Sequence, residues 1–393
     1  MGLGPWPGGI LAACLVLLVV WLLLPGPDHP VKSSPEPAPQ KEAPASPARS
    51  KAEDFIYEER SPAFHRHLAL TDAAIISGLR SAGLADEAIR VSRVVNVVQE
   101  GLAFERAEME MDLAGRQAAE VEEALLAALG RLDFPVTLSS SEGEGQAYRL
   151  EVWLDGRLSH TLIFTPAPPK AAGPRGKGAI IIDDLGYHPQ SDSRLIDLEL
   201  DLTLAFLPHS PKGPELARLA AARGREIIVH LPMEPHGYPQ INPGPGALLT
   251  SMDETELRRT LEADLADYPQ ATGANNHMGS KLTEDESRMS LILESLRERG
   301  LFFIDSATSP ESRALDAAAR LGLRAARRSV FLDNVLDEAA IQVQLRRFIA
   351  RAREKGSAIA IGHPHPQTRA VLLEMAAEME GQIDLVPASA LAR

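Results

Sequence analysis

The stretch Gly178-Ala179-Ile180-Ile181-Ile182-Asp183-Asp184-Leu185-Gly186 decides the reading of everything after it. Its apolar part is too short for a helix, rich in β-branched isoleucine and unbroken by polar alternation, which predicts a strand buried on both faces. It then runs straight into two carboxylates. Comparable apolar runs recur at Leu202–Phe206, Glu226–Val229, Leu301–Ile304, Ala358–Ile361 and Gln382–Val386, with further candidates near Ala271–Ala274 and Leu323–Arg327. Amphipathic stretches lie between them. Ser251 with Glu254 and Thr283 with Glu286 have capping-box spacing, and Gly224, Gly300 and Gly356 stand where a helix needs a left-handed stop. Alternating strand and helix implies a parallel sheet. Seven or eight such units in the about 216 residues from Gly178 to Arg393 predict an α/β fold whose sheet closes, or nearly closes, into a (β/α)7-8 barrel.

Upstream the texture differs. Asp54 to Pro166 predicts a small α+β domain, with helical periodicity over Ala85–Leu129 carried by Val91, Val94, Val95 and Val98 and then by Leu125, Leu126 and Leu129. Strands at Tyr148–Leu154 and Leu158–Phe164 follow, joined at the hairpin signal Asp155-Gly156. Linkers rich in Pro and Ala occupy residues 28–53 and 167–178. Residues 1–27 carry no charged side chain, and Ile10–Leu24 is unbroken apolar sequence. As a helix those fifteen residues rise about 22 Å, a little short of a ~30 Å hydrocarbon core. They are read as an uncleaved N-terminal membrane helix, ahead of a cleaved signal peptide or a buried core helix. No basic n-region precedes the run, and Pro25-Gly26-Pro27 stands where a small-residue cleavage site is expected. That reading puts the soluble part outside the cytoplasm, in a bacterial periplasm or cell envelope.

The formal charge of −14, with no dense basic run, excludes an extended nucleic-acid surface. The only cysteine, Cys14, lies in the apolar run, so any metal in the folded part is held by His, Asp or Glu.

In a barrel of this kind the C-terminal ends of the strands share one face, and the loops there carry the chemistry. Five strands deliver carboxylates or imidazoles to that face. Ile182 is followed by Asp183-Asp184, Val229 by His230, Ala274 by Asn275-Asn276-His277, Ile304 by Asp305-Ser306, and Ile361 by Gly362-His363-Pro364-His365. Singly each residue is as well explained by a helix cap or a structural hydrogen bond; together they predict a polar active site. One carboxylate of an adjacent pair can take a proton while the other holds a divalent cation. Imidazoles with a carboxylate suit Zn²⁺ before Co²⁺, Ni²⁺ or Mn²⁺. With a further imidazole to protonate a leaving amine, such a set describes hydrolysis of an amide or ester. The Pro- and Gly-rich loop Pro239–Gly246 is expected to border the groove. Arg327 and Arg328, near another strand end, either reach an anionic substrate group or form a solvated surface pair.

Ile182-Asp183-Asp184-Leu185-Gly186, His230-Leu231-Pro232-Met233-Glu234-Pro235, Asn276-His277-Met278-Gly279-Ser280, Phe303-Ile304-Asp305-Ser306 and Gly362-His363-Pro364 occur in that order. In this they resemble the divergent polysaccharide deacetylases, a branch of the NodB-like carbohydrate esterases, over little more than half the chain. The resemblance implies a distorted (β/α) barrel of NodB-like type and metal-dependent removal of acetyl groups from a glycan. It implies Asp183 as base, Asp184 and His230 as metal ligands and His363 as general acid, with Asp305 orienting a catalytic partner. The pattern departs twice: Glu234 stands where a second histidine is usual, and Asn275-Asn276-His277 replaces an arginine motif. The third ligand is therefore Glu234 or His277. Asn276, Ser280 and Ser306, in the same motifs, and His365, just after the last, are the substrate-binding candidates. The function expected is a metal-dependent hydrolase removing acetyl groups from an envelope polysaccharide or amino-sugar polymer. The alternatives are a non-catalytic glycan- or partner-binding envelope protein and a hydrolase acting on another substrate.

Overall fold

The computed structural model describes Met1 and residues 63–113, 115–142, 148–165 and 175–393. The expected membrane helix, the linker 28–53 and most of the linker 167–178 lie outside the described residues. Among the described residues no helix is long and apolar enough to cross a membrane.

The N-terminal part runs α1 (Ala63–Ser81), β1 (Ile89–Gln99), β2 (Leu102–Asp112), α2 (Ala118–Leu129), β3 (Val136–Glu142), β4 (Tyr148–Leu154) and β5 (Arg157–Thr165). Its five strands are ordered β1-β2-β5-β4-β3, with β2 and β5 parallel and the other pairs antiparallel. The helical periodicity expected from Ala85 is wrong for its first half. Residues 89–112 form a hairpin turning at Glu100-Gly101, both at positive φ, and only 118–129 is helical. The i, i+3, i+4 spacing of Val91, Val94 and Val95 is real, but β-branched side chains fit a pleated sheet better than a helix. Asp155 and Gly156, at φ 47° and 73°, make the expected tight turn between β4 and β5.

The C-terminal part alternates as expected: β6 (Gly176–Leu185), α3 (Pro189–Ile196), β7 (Leu202–Phe206), α4 (Gly213–Ala222), β8 (Glu226–Met233), α5 (Glu254–Ala266), β9 (Gly273–Met278), α6 (Glu286–Glu298), β10 (Phe302–Asp305), α7 (Ala314–Leu321), β11 (Ala325–Arg327), β12 (Val330–Phe331), α8 (Glu338–Lys355), β13 (Ser357–Gly362), α9 (Pro366–Glu374), α10 (Ala376–Gln382) and β14 (Ile383–Leu385). All its strand pairs are parallel, in the order β11-β10-β9-β8-β7-β6-β13-β12, with β14 against the start of β6. The sheet curls into a half-barrel and is not a closed ring. The strands at its two ends, β11 and β12, have three residues and two, too few to pair around a full circle. The last residues fill part of the gap: Ala325 and Arg393 exchange two backbone hydrogen bonds, and Ala388, Leu391 and Ala392 pack inside the curl.

Alternate side chains of a strand face opposite sides. In β6, Ile180 and Ile182 join the core under the helices, while Ala179 and Ile181 join the inner core with Ile228, Ile304 and Ile361. Burial on both sides explains the unbroken apolar runs, each fully buried Ile contributing ~1.5–3 kcal/mol.

Two of the helix starts differ from expectation. The N-caps are Asp253 and Asp285, whose carboxylates accept from Glu256 N and Arg288 N, each two residues after the serine or threonine expected. Gly224, Gly300 and Gly356 do take positive φ after their helices.

Helix α8 is buried on nearly every side. Ile341, Leu345 and Phe348 belong to the half-barrel core, and Val343 and Ala350 to the core of the five-stranded sheet. The two sheets thus share one helix. It lies so close to β6 that a Cβ on Gly176 would meet Ala352 O at 1.8 Å, and one on Gly178 would meet the Phe348 ring at 2.5 Å.

Candidate metal centre

The site begins with a break in regular pairing. Between Ile182 and Leu185 the register of β6 on β7 shifts, so Asp183 and Asp184 together oppose one residue. In a regular strand Asp184 would follow Ile182 to the helix side, opposite Asp183. The bulge and a left-handed turn at Asp184, φ 59°, aim both carboxylates at the rim and return Leu185 to the helix-side core. Aspartate tolerates that backbone better than most residues. Met278 and Ala307, at φ 52° and 57°, turn the ends of β9 and β10 in the same costly way. Such clustering of strain marks a functional region.

Three ligand atoms converge. Asp184 Oδ1 lies 3.1 Å from His230 Nε2 and 3.0 Å from His277 Nδ1, and the two ring nitrogens are 3.2 Å apart. Ligands at ~2.05 Å around a tetrahedral Zn²⁺ are about 3.3 Å from one another. Asp184 Oδ1 is buried and has no hydrogen-bond partner of good geometry. Burial pushes its carboxyl up, but His277 and His230 more than offset this and hold it well below the usual carboxylate range. An ionised oxygen facing two imidazole nitrogens in a buried pocket is the donor set of a divalent cation site, and the residues fit one.

Asn275 organises the other groups. On β9 it pairs with His230 of β8, and Ile228, His230, Asn275 and His277 alternate onto the inner face. Its Oδ1 accepts from His230 Nδ1 at 2.8 Å, which leaves Nε2 to face Asp184 and His277. Its Nδ2 donates to both oxygens of Asp183, at 2.8 and 3.0 Å. Burial raises the pKa of Asp183 despite His230 and His363 nearby. Replacing Asn275 with alanine is expected to lower divalent-ion affinity by about 10–100-fold without unfolding the chain, read by zinc titration against a chromogenic chelator.

His363, at the end of β13, donates from Nδ1 to Asp333 Oδ1 at 2.8 Å. The other oxygen of Asp333 accepts from His363 N and Thr368 Oγ1, both at 2.6 Å. Burial lowers the pKa of His363, but Asp333 outweighs it and the net shift is upward; the pKa of Asp333 is lowered in return.

The structure redistributes several expected roles. Glu234 does not join Asp184 and His230. Its carboxylate accepts from Thr250 N, Thr250 Oγ1 and Lys281 Nζ, each at 2.6 Å. Because β8 stays extended through Met233, a residue four positions on lies ~13 Å along the strand, and His277 on the neighbouring strand fills the place. Asp305 accepts from Ala307 N at 2.8 Å and lies 3.5 Å from Arg327 Nε. The carboxylate on His363 is that of Asp333, which sequence reasoning missed; only its place two residues after the short β12 hints at it. Asn276 and Ser306 line a cavity of about 30 Å³ beside Asp183, His230, His277 and His363. Ser280 instead accepts from His236 N, and His365 stands near His363, its ring 6.1 Å away. The Pro239–Gly246 loop does not line this cavity; a Cβ on Gly246 would meet Asp264 at 2.2 Å and His209 at 3.1 Å.

Residues 180–392 match the sequence profile of the divergent polysaccharide deacetylases. The chain belongs to that family. It is 39% identical over 216 residues to the uncharacterized protein YibQ of Escherichia coli K12, spanning 55% of this chain and 67% of YibQ. A Haemophilus influenzae protein, also uncharacterized, is 36% identical over 212 residues, 54% of this chain and 75% of its own. Among solved structures, the uncharacterized ATU2773 of Agrobacterium tumefaciens C58 superposes with a TM-score of 0.54 at 27% identity, covering 57% of this chain and 92% of that one. These matches all fall short of the full chain, and the family profile lies on the half-barrel. In this member of the family the five motifs read from the sequence lie at the strand ends that line or buttress the site.

Proposed function

We propose that the half-barrel is a metal-dependent hydrolase that removes acetyl groups from an amino-sugar polymer of the cell envelope. The observation that carries this reading is the convergence of Asp184, His230 and His277 within 3.2 Å of one another, with Asp183 and His363 lining the cavity that His230 and His277 also line. When bound by the three ligands, a divalent cation, Zn²⁺ by the character of the donors, supplies charge to polarise a carbonyl and acidify water. Asp183, oriented by Asn275, accepts a proton from the attacking water. His363, protonated and oriented by Asp333, gives a proton to the leaving amine. The apolar run Ile10–Leu24 and the Pro-rich stretch after it support an extracytoplasmic, membrane-anchored placement, where such a polymer is found.

The test is acetate release from an N-acetylglucosamine oligomer after zinc reconstitution. Asp183→Asn is expected to slow release by about 10²–10⁴-fold with an unchanged circular-dichroism spectrum. Equal rates in variant and wild type, or no release with any divalent cation, would remove the reading.

A further inference from the structure

Ser306 lines the same cavity as Asp183 and His363 and is only 6% exposed. The backbone holds it from both sides. Ser306 N donates to Asn276 Oδ1 at 2.8 Å, and Ser306 O accepts from Arg328 Nε at 2.6 Å. Ala307 follows at φ 57°, with its own N–H on Asp305 Oδ1 at 2.8 Å. Alanine rarely adopts that backbone, and strain of this kind gathers at functional sites.

The hydroxyl is what this turn leaves over. Asn275 Nδ2 lies 3.3 Å from Ser306 Oγ, and an amide nitrogen only donates. Oγ is therefore the acceptor in that contact, and its own hydrogen has no acceptor among the described residues. The polar groups next to it are committed. Asn276 Nδ2 donates to Met278 O at 2.8 Å, and its Oδ1 takes the N–H of Ser306. Thr308 Oγ1, which also lines the cavity, donates to Met278 O at 3.0 Å. A buried donor with nothing to donate to carries a cost that a bound acceptor removes.

We propose that Ser306 donates its hydroxyl hydrogen bond to the acyl oxygen of the substrate as that oxygen becomes an oxyanion. The acyl group as the acceptor rests on the hydrolase reading above. As water's oxygen bonds to the acyl carbon, Asp183 takes its proton and the carbonyl π pair moves onto the acyl oxygen. Ser306 stabilises that charge and keeps its own proton. The pair then returns to carbon as the C–N bond breaks, and the amine leaves with a proton from His363.

Two measurements on the zinc-loaded full chain test this: acetate release from N,N′-diacetylchitobiose, and calorimetry with the methylphosphonamidate analogue of that disaccharide, whose tetrahedral charged group stands in for the oxyanion. Ser306→Ala is expected to lower kcat by about 10²-fold with KM within about twofold of wild type. The same change should weaken the analogue by about 10–100-fold. Ser306→Cys keeps the shape with a weaker donor and should fall between serine and alanine. Zinc affinity, read by chelator titration, should move in neither variant, which separates a donor to the substrate from a prop for Asn275. An unchanged kcat in Ser306→Ala, a rise in KM alone, or a parallel loss of zinc affinity overturns the proposal. If wild type releases no acetate, the hydrolase reading fails; the oxyanion donor then stands if analogue binding still depends on Ser306, and falls if it does not. Wild-type release from Ser306→Ala removes this proposal and leaves the hydrolase reading in place.

Discussion

Replacing Asp184 with alanine is expected to leave a folded chain that retains no divalent ion after dialysis and releases acetate roughly 10³-fold more slowly than wild type. The magnitude follows from the several kcal/mol of transition-state charge stabilisation that a metal centre supplies, at 1.36 kcal/mol per factor of ten. The carboxylate is the only anionic member of the converging set, and its oxygen is the one left without a hydrogen bond. Two imidazoles alone bind a divalent cation far more weakly than two imidazoles and a carboxylate. The alanine variant carries a second cost, because φ at this position is 59° and alanine is strained there by about 1–2 kcal/mol. Asp184→Asn separates the two effects: asparagine accepts the left-handed backbone, keeps the shape and lacks the charge. Elemental analysis and acetate release should fall together in both variants, while the thermal midpoint falls more in the alanine variant. If Asp184→Asn keeps its ion and its activity, the assignment of this carboxylate as a ligand fails.

The same bulge shows what a sequence can and cannot reveal. Ile180-Ile181-Ile182 was legible because burial on both faces leaves an unbroken apolar run, and the apolar runs leading to His230, Asp305 and His363 were legible on the same ground. How adjacent Asp183 and Asp184 can both face that rim was not, since it depends on a register shift and one positive φ. The choice between Glu234 and His277 turned on whether β8 stays extended through Met233, which spacing alone leaves open. Asp333 follows a strand of two residues, too short to leave a periodic signal, so the carboxylate beside His363 went unread and the orienting role was given to Asp305. Ring closure failed for a related reason: counting βα units does not register that the strands at both ends of the sheet are too short to meet. In the five-stranded part, valines at 91, 94 and 95 satisfied a helical period and a β-hairpin equally, and β-branching was the better guide.

Removing the carboxylate of Asp72 is expected to destabilise the whole folded unit by ~3–5 kcal/mol. Asp72, on α1, is fully buried and accepts from Arg347 Nη2 at 2.9 Å and Gln344 Nε2 at 3.1 Å, both on α8. His160 Nε2, on β5, lies 2.6 Å from the same carboxylate, and burial lowers the pKa of this histidine, so Arg347 supplies the positive charge of the group. Asp72→Ala leaves the Arg347 guanidinium, whose side chain is 3% exposed, without its carboxylate in a site that water does not reach. A loss of that size is a large share of the 5–15 kcal/mol that typically separates folded from unfolded chains. The pair itself need not stabilise anything: replacing Asp72 and Arg347 together by leucine is expected to recover most of the loss, since a matched apolar pair avoids two desolvation costs. Urea unfolding followed by circular dichroism checks both variants. Because α8 contributes Val343 to one core and Leu345 to the other, the transition of Asp72→Ala should stay single and shift as a whole. Two separated transitions, with the half-barrel unfolding at its wild-type midpoint, would show that the small sheet folds independently and that the shared helix does not couple the two.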